Sequence, residues 1–260
     1  MIHPTAIIHP NAQIGSGCEI GPYCVIGENV VLGNYCRLRS HVVIDGHTTL
    51  GESNEIYPFT SIGLKSQDLK WKGGITRTRI GSFNTIREYV SIHSATGDGE
   101  YTTVGDHNNI LASCHLAHNV TLGSHVIISN MTGLTGHVVV EDYAIISGIV
   151  GIHQFCRIGK MSMTGGCSKA TQDVPPYMIV DGNPAQNHGL NKVGLERNGV
   201  SEESQAALKR AFKILCREGL STPNALNRIE AELPALPEIK HLIEFCRASV
   251  RGMTTSTLQF

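Results

Sequence analysis

The stretch IHPTAIIHPNAQIGSGCEIGPYCVIGENVVLGNYCRL, residues 2–38, places an aliphatic side chain at every sixth position: Ile2, Ile8, Ile14, Ile20, Ile26, Leu32 and Leu38. The series continues through Ile44, Leu50, Ile56 and Ile62, resumes at Ile80, Ile86 and Ile92, and runs again from Val104 by sixes to Ile158. Neither interruption disturbs the phase, since Ile62 to Ile80 spans eighteen residues and Ile92 to Val104 twelve. A six-residue period held this long is the signature of a parallel β-helix in which three hexads close one triangular coil. A solenoid ejects insertions without disturbing its stack, so 63–79 and 94–103 are expected to be loops.

Two residues before each aliphatic site lies a second register of small side chains, among them Ala6, Cys18, Cys24, Cys36, Val42, Cys114, Val120, Ala144 and Cys156. Positions i and i−2 of a strand point to one side, so a large and a small side chain per hexad fill a narrow prism. Five of the eight cysteines fall here and read as compact core groups rather than ligands or disulfide partners. Asn54, Asn84 and Asn108 share the register, and their amides are expected to ladder from coil to coil, because a buried amide must be paired. With 28 glycines and only 5% aromatic residues, the composition points to many tight corners around a slim core.

After the repeats, Asp173-Val174-Pro175-Pro176-Tyr177 and Asp181-Gly182-Asn183-Pro184 read as turns leading out of the prism. Ser201 then caps an expected helix with Glu202 and Glu203 in its first turn and Leu208, Phe212 and Leu215 on its apolar face, ending near Gly219. Pro223 and Pro237 suit the first turns of two more, the first burying Leu226, Ile229 and Leu233, the second Ile239, Leu242, Ile243 and Val250. The expected organisation is a β-helix over 1–183 and a small α-helical domain over 184–260.

Lys and Arg number 21 against 22 Asp and Glu, which gives no support to a nucleic-acid binder held by backbone phosphates. No apolar run is long enough to span a bilayer, and Met1-Ile2-His3-Pro4 lacks the pattern of a signal peptide, so no transmembrane segment and a cytoplasmic location are expected.

A core this tightly filled leaves no internal cavity, so chemistry must sit on outer faces or between copies. Thirteen histidines are many for 260 residues, and His115, His118, His125, His137 and His153 cluster on adjacent coils. In Cys114-His115-Leu116-Ala117-His118-Asn119 the inward sites are Cys114 and Leu116, so both histidines avoid the core. Eighteen residues per coil set His118 beside Gly136-His137 on the next coil and His153-Gln154 on the one after. Imidazole titrates near 6.5, which suits it to take a proton from a hydroxyl at neutral pH. The alternative for a histidine cluster is zinc, but no carboxylate or Cys completes an evident ligand set on these coils, and neither metal nor cofactor is expected.

The hexads, Ala117-His118-Asn119, Leu134-Thr135-Gly136-His137-Val138, His153-Gln154-Phe155-Cys156, Gly165-Gly166-Cys167, Gln172 to Tyr177 and Gly194-Leu195-Glu196-Arg197 together resemble the UDP-N-acetylglucosamine O-acyltransferases of lipid A synthesis, in the hexapeptide-repeat transferases. The likeness covers nearly the whole chain and implies a left-handed β-helix, a homotrimer, acyl carrier protein as donor partner and UDP-N-acetylglucosamine as acceptor. It implies that His118 is the general base for the 3-hydroxyl and that the Gly136 N–H stabilises the oxyanion, although a corner glycine fits that position equally well. It further implies substrate contacts from Asp68 and Lys70 in the first loop, from His115, His137, His153 and Gln154, and from Asn191 and Arg197 to the nucleotide. Gly166, with Met163 nearby, matches an acyl groove whose depth favours a long hydroxyacyl chain of about fourteen carbons, each buried methylene contributing about 0.8 kcal/mol.

The chain departs from the pattern at Asn119, where many relatives carry Asp, and at Glu196-Arg197-Asn198, which has one base where relatives often have several. Lys209, Arg210, Lys213, Arg217, Arg228, Lys240, Arg247 and Arg251 are expected to offer the acidic carrier a docking patch. Three rivals remain: a related N-acyltransferase, expected to carry a separate domain ahead of its repeats; a small-acyl transferase, disfavoured by a deep groove; and a structural scaffold, for which a histidine stripe has no use.

Overall fold

The computed structural model describes residues 1–255. Strands of mostly two residues stack in register into three sheets, which form the faces of a left-handed parallel β-helix. The first face contains Ile7–Ile8, Ser61–Leu64, Ser91–His93, His115–Leu116, Gly133–Leu134 and Gly151–Ile152; the second runs from Gln13–Ile14 to Arg157–Ile158; the third starts at Glu19–Ile20. Pairing advances eighteen residues per coil where no loop intervenes, as in His115↔Gly133↔Gly151.

Both inward registers are buried as the period requires: from Ile20 to Ile158 every aliphatic site is at most 3% exposed, and the five register cysteines lie beside them. The core outlasts the aliphatic series, because Thr164 and Ala170 occupy the next two sites. The asparagine ladder is complete. Asn54 Oδ1 accepts from the Asn84 N–H and Nδ2, Asn84 Oδ1 from the Asn108 N–H, and Asn108 Oδ1 from the Val126 N–H.

The corners differ from what the glycine count suggests. The residue with positive φ at each turn is almost always a larger side chain, such as Phe83, His107, Asn119, His125, His137 or Tyr143. An L-residue there costs about 1–2 kcal/mol. Stacking offsets part of that cost: Phe83, His107, His125 and Tyr143 form a column with centroids 4.7–4.9 Å apart, matching the spacing of paired strands. The glycines serve close approach instead, since a Cβ on Gly15 would lie 2.5 Å from the carbonyl carbon of Gly33 one coil on.

The chain leaves the prism by a feature absent from the sequence reading. Met178–Gly182 extends the third face in parallel, and Ala185–Leu190 returns antiparallel, so a hairpin crosses residues 183–184. A short unanticipated helix, α1 (Lys192–Arg197), follows. The three anticipated helices are α2 (Glu202–Cys216), capped by the Ser201 side chain accepting from the Ser204 N–H, α3 (Thr222–Glu232) and α4 (Pro237–Arg247), the last two with proline in the first turn. Their apolar faces form a second core with Met161, Tyr177 and Met178. Val250, expected inside the last helix, lies beyond its end and is exposed, because that helix stops at Arg247. The tail then runs back beside the last coil, Asp173 pairing with Met253. No helix among the described residues is long and apolar enough to cross a membrane.

Asn84→Ala keeps the backbone donor to Asn54 but removes the Nδ2 donor and the acceptor of the Asn108 N–H inside the core, and is expected to cost about 2–3 kcal/mol. Cys36→Ala in the same register removes a thiol and its weak bond to the Gly51 carbonyl, which keeps the Asn54 Nδ2 donor, and should cost about 1 kcal/mol. Chemical denaturation of the two variants checks the order.

Candidate active site

His118 lies in the turn between the first and second faces, directly over Gly136 of the next coil. A Cβ on Gly136 would sit 2.4 Å from both Cε1 and Nε2 of His118, so glycine is what lets the ring lie there. Among the described residues no acceptor meets the Gly136 N–H. The ring of His137 stands edge-on to His118 at 5.2 Å and stacks on Phe155 at 4.7 Å, so it belongs to a corner column as well as to the cluster.

The two ring nitrogens of His118 meet different surroundings. Nδ1 is 3.0 Å from Asn119 Oδ1, and Nε2 is 3.7 Å from Asp68 Oδ2. Asp68 is carried in by the first loop, where Ser66 Oγ accepts from its N–H and its Oδ1 accepts from the Lys70 N–H. The His118 side chain is 13% exposed, buried on most sides yet open to a small group.

His115 holds Ser91 Oγ at 2.8 Å through Nδ1, and its ring meets that of His93 at 5.3 Å. Burial, then the charge of neighbouring imidazoles, pushes His93, His115 and His137 below the usual histidine range, which leaves them neutral at pH 7. His93 was missed in the sequence, although it occupies the same hexad position as His153, one past the aliphatic site of the first face. Its Nδ1 is buried without a partner among the described residues, and the ring helps line a cleft of about 540 Å³ with His47, Lys65 and Trp71 under the first loop. Lys65 lies over the Trp71 ring at 4.6 Å, so the only tryptophan is held within its own chain.

The other nominated residues divide. Lys70 is exposed near the cluster, its charge felt at His137. Gln154 is exposed at the same corner two coils above His118. His153 does not join the His118–His137 contact, because its Nδ1 is 3.1 Å from Nη2 of Arg251 in the returning tail. Asn191 and Arg197 are not brought to His118 within one chain. Asn191 is buried at the corner between the second and third faces, donating from Nδ2 to the Met161 carbonyl and accepting at Oδ1 from the Gly194 N–H, while Arg197 is exposed at the end of α1. Met163 lies on the third face between Ile145 and Ile179, and Gly166 is at the third corner, where a Cβ would meet only the Gly148 carbonyl oxygen at 3.5 Å. Among the described residues no group of three or more His, Cys, Asp or Glu is arranged to hold a metal ion.

Family models match in two parts: bacterial transferase hexapeptide repeats over residues 1–34, 11–46 and 101–136, and the second domain of UDP N-acetylglucosamine O-acyltransferase over 173–254. An acyl-(acyl-carrier-protein)–UDP-N-acetylglucosamine O-acyltransferase of Myxococcus xanthus is 47% identical over 80% of this chain and 81% of its own length. One of the same name from Thermodesulfovibrio yellowstonii is 50% identical over 84% of each. The crystal structure of a UDP-N-acetylglucosamine acyltransferase from Bacteroides fragilis superposes with a TM-score of 0.95 at 40% identity, covering 97% of this chain and 99% of that one. Identities of 47–50% over four-fifths of the chain, on a prism that superposes on such an enzyme from the first hexads to the helical tail, show that the chain belongs to the acyl-(acyl-carrier-protein)–UDP-N-acetylglucosamine O-acyltransferase family.

Proposed function

We propose that this chain transfers a long 3-hydroxyacyl group from acyl carrier protein to the 3-hydroxyl of the glucosamine in UDP-N-acetylglucosamine, in lipid A biosynthesis, with His118 as general base. The observation that carries the proposal is the asymmetry of the His118 ring: Nδ1 is taken by Asn119, and Nε2 faces a carboxylate oxygen at 3.7 Å, too far for a bond. Seated over that gap, a sugar hydroxyl gives its proton to Nε2 as its oxygen attacks the thioester carbonyl. The oxyanion that forms lies within reach of the Gly136 N–H. Collapse breaks the C–S bond, and the imidazolium returns its proton to the departing thiolate, so no acyl-enzyme is needed.

His115 and His137, neutral and beside the base, serve as hydrogen-bonding groups for the sugar; Asp68 and Lys70 close the site from the first loop, and His153 and Gln154 line its upper side. Asn191 acts by holding the start of α1, so that Arg197 projects its charge toward the diphosphate. Because α1 lies around a different edge of the prism from His118, a complete site draws these two groups from separate chains, which supports the homotrimer. For the donor, the tail patch reduces to Lys209, Lys213, Arg217 and Lys240, since Arg210, Arg228 and Arg247 pair with Glu218, Glu232 and Glu230 and Arg251 lies against His153. Eight cysteines without a disulfide among the described residues fit a reducing, cytoplasmic setting.

The acyl chain has a path along the first face. Gly133 and Gly151 stand outward in register with His115, and nothing approaches their added Cβ atoms. From His115 to Lys169, the strand Gly166 leads into, is three coils, about 14 Å.

Steady-state transfer from a series of hydroxyacyl carrier proteins tests this reading. His118→Ala is expected to lower kcat by about 10²–10⁴-fold, and a chelator should have no effect. Gly136→Ala should displace the imidazole and cost about 10²-fold. With Gly166→Met the preferred chain should shorten by several carbons, each lost methylene contact weakening the long donor about fourfold. No transfer from any chain length, or loss only with chelator, overturns the proposal.

A further inference from the structure

We infer that Glu100, on the second loop, is a positioning residue for His118: acting through Asn119, it holds the imidazole with its proton on Nδ1 and its lone pair on Nε2. The inference rests on the reading of His118 as the base and supplies the carboxylate missing beside it.

The hydrogen bonds leave Asn119 one orientation. Its Nδ2 donates to Glu100 Oε2 at 2.7 Å, and its Oδ1 accepts from the Thr96 N–H at 3.0 Å. Turned over, the amide would set donor against donor at Thr96 and acceptor against carboxylate at Glu100. Oδ1 therefore also faces His118 Nδ1, and that nitrogen must be the donor across the 3.0 Å contact. With Nδ1 protonated, a neutral ring carries its lone pair on Nε2, toward Asp68 and the open side.

Glu100 is itself fixed. Its Oε2 also accepts from the Gly97 N–H, and these bonds, Asn119 foremost, hold its carboxyl below the usual range, so the group is anionic at neutral pH. The Asn119 backbone is anchored separately by donating to Thr102 Oγ1, and Asn119 occupies the left-handed corner conformation that Asn tolerates well. Thr96, Gly97, Glu100 and Thr102 all lie in the second insertion or at its end, which assigns that loop a task. The arrangement places an anion two hydrogen bonds from the base, where Asp in place of Asn119 would put it one bond away.

The test uses the full-length protein with ¹⁵N-labelled histidine. His118→Ala identifies the His118 signals, and long-range ¹H–¹⁵N correlation above pH 8 reports the tautomer. The Nδ1–H form is expected in the wild type, with Nε2–H appearing in Glu100→Ala. An Nε2–H wild type, or spectra identical in the two proteins, overturns the inference, and this result stands whether or not transfer activity is found. In kinetics, Glu100→Ala should lower kcat about fivefold, the scale of one exposed charge-assisted hydrogen bond, and leave KM within about twofold. In an Asn119→Asp background the same change should cost less than about twofold, because the new carboxylate contacts the ring itself. Equal losses in both backgrounds, or a rise in KM at constant kcat, would count against a positioning role. Glu100→Gln, which keeps an acceptor for Asn119, guards against a collapsed loop: it should retain the wild-type tautomer and lose part of kcat, and a shifted tautomer would argue against the chain of contacts.

Discussion

Coil-to-coil hydrogen bonding is the constraint on which the rest depends. Each turn presents N–H groups to the carbonyls of the next, as where the His115 N–H donates to the Thr132 carbonyl and the Ala117 N–H to that of Leu134, both at 2.9 Å. Eighteen residues must therefore close one circuit with their inward side chains in line, or the ladder fails on all three faces. The aliphatic and small registers meet that requirement inside the prism, and the glycine after many aliphatic residues meets it where backbones approach most closely. The corners carry unfavourable backbone conformations because the stacking of the whole column over-determines them.

The site is built from the same repeat. The prism sets His118, Gly136 and His137 against one another on adjacent coils, the fixed geometry that the proposed catalysis uses. The hexads of this chain set neither an anion beside the imidazole nor a group against its second nitrogen, although outward positions of successive coils can pair, as Arg37 does with Glu19. Both insertions contribute here: the first carries Asp68 to Nε2, and the second carries Thr96 and Glu100 to Asn119. Phase is preserved across them because their lengths add whole hexads.

Histidine itself was legible as a residue type more than as a role. His107 and His125 are members of a stacked corner column with Phe83 and Tyr143, as His41 is with Tyr23 and Phe59, and their rings fill positions that other coils give to Tyr or Phe. His93, by contrast, is buried next to His115 with a nitrogen unpaired among the described residues, and drew no notice in the sequence. The difference lies in surroundings as well as hexad position: the turn residues look along a column, whereas His93 lies under the first loop, which does not reach His153 at the same hexad position.

Although the strands Arg77–Ile80 and Tyr101–Val104 reclaim the last residues of the two expected loops by pairing with one another, the sequence by itself determined the prism, its inward registers, the asparagine ladder, the two breaks in the repeat, the three larger helices and the adjacency of His118 and Gly136. Those features follow from a period, a cap or a proline, all of which are local or strictly repeated. Only the tertiary structure decided the exit hairpin, the short helix α1, the Asn191 amide turned inward, Arg251 set against His153, and the contacts of Asp68 with His118 and of Glu100 with Asn119. These contacts join residues outside the repeat or close non-periodic paths through loops, where no spacing rule relates the partners and the packing of the finished coil alone brings them within bonding distance.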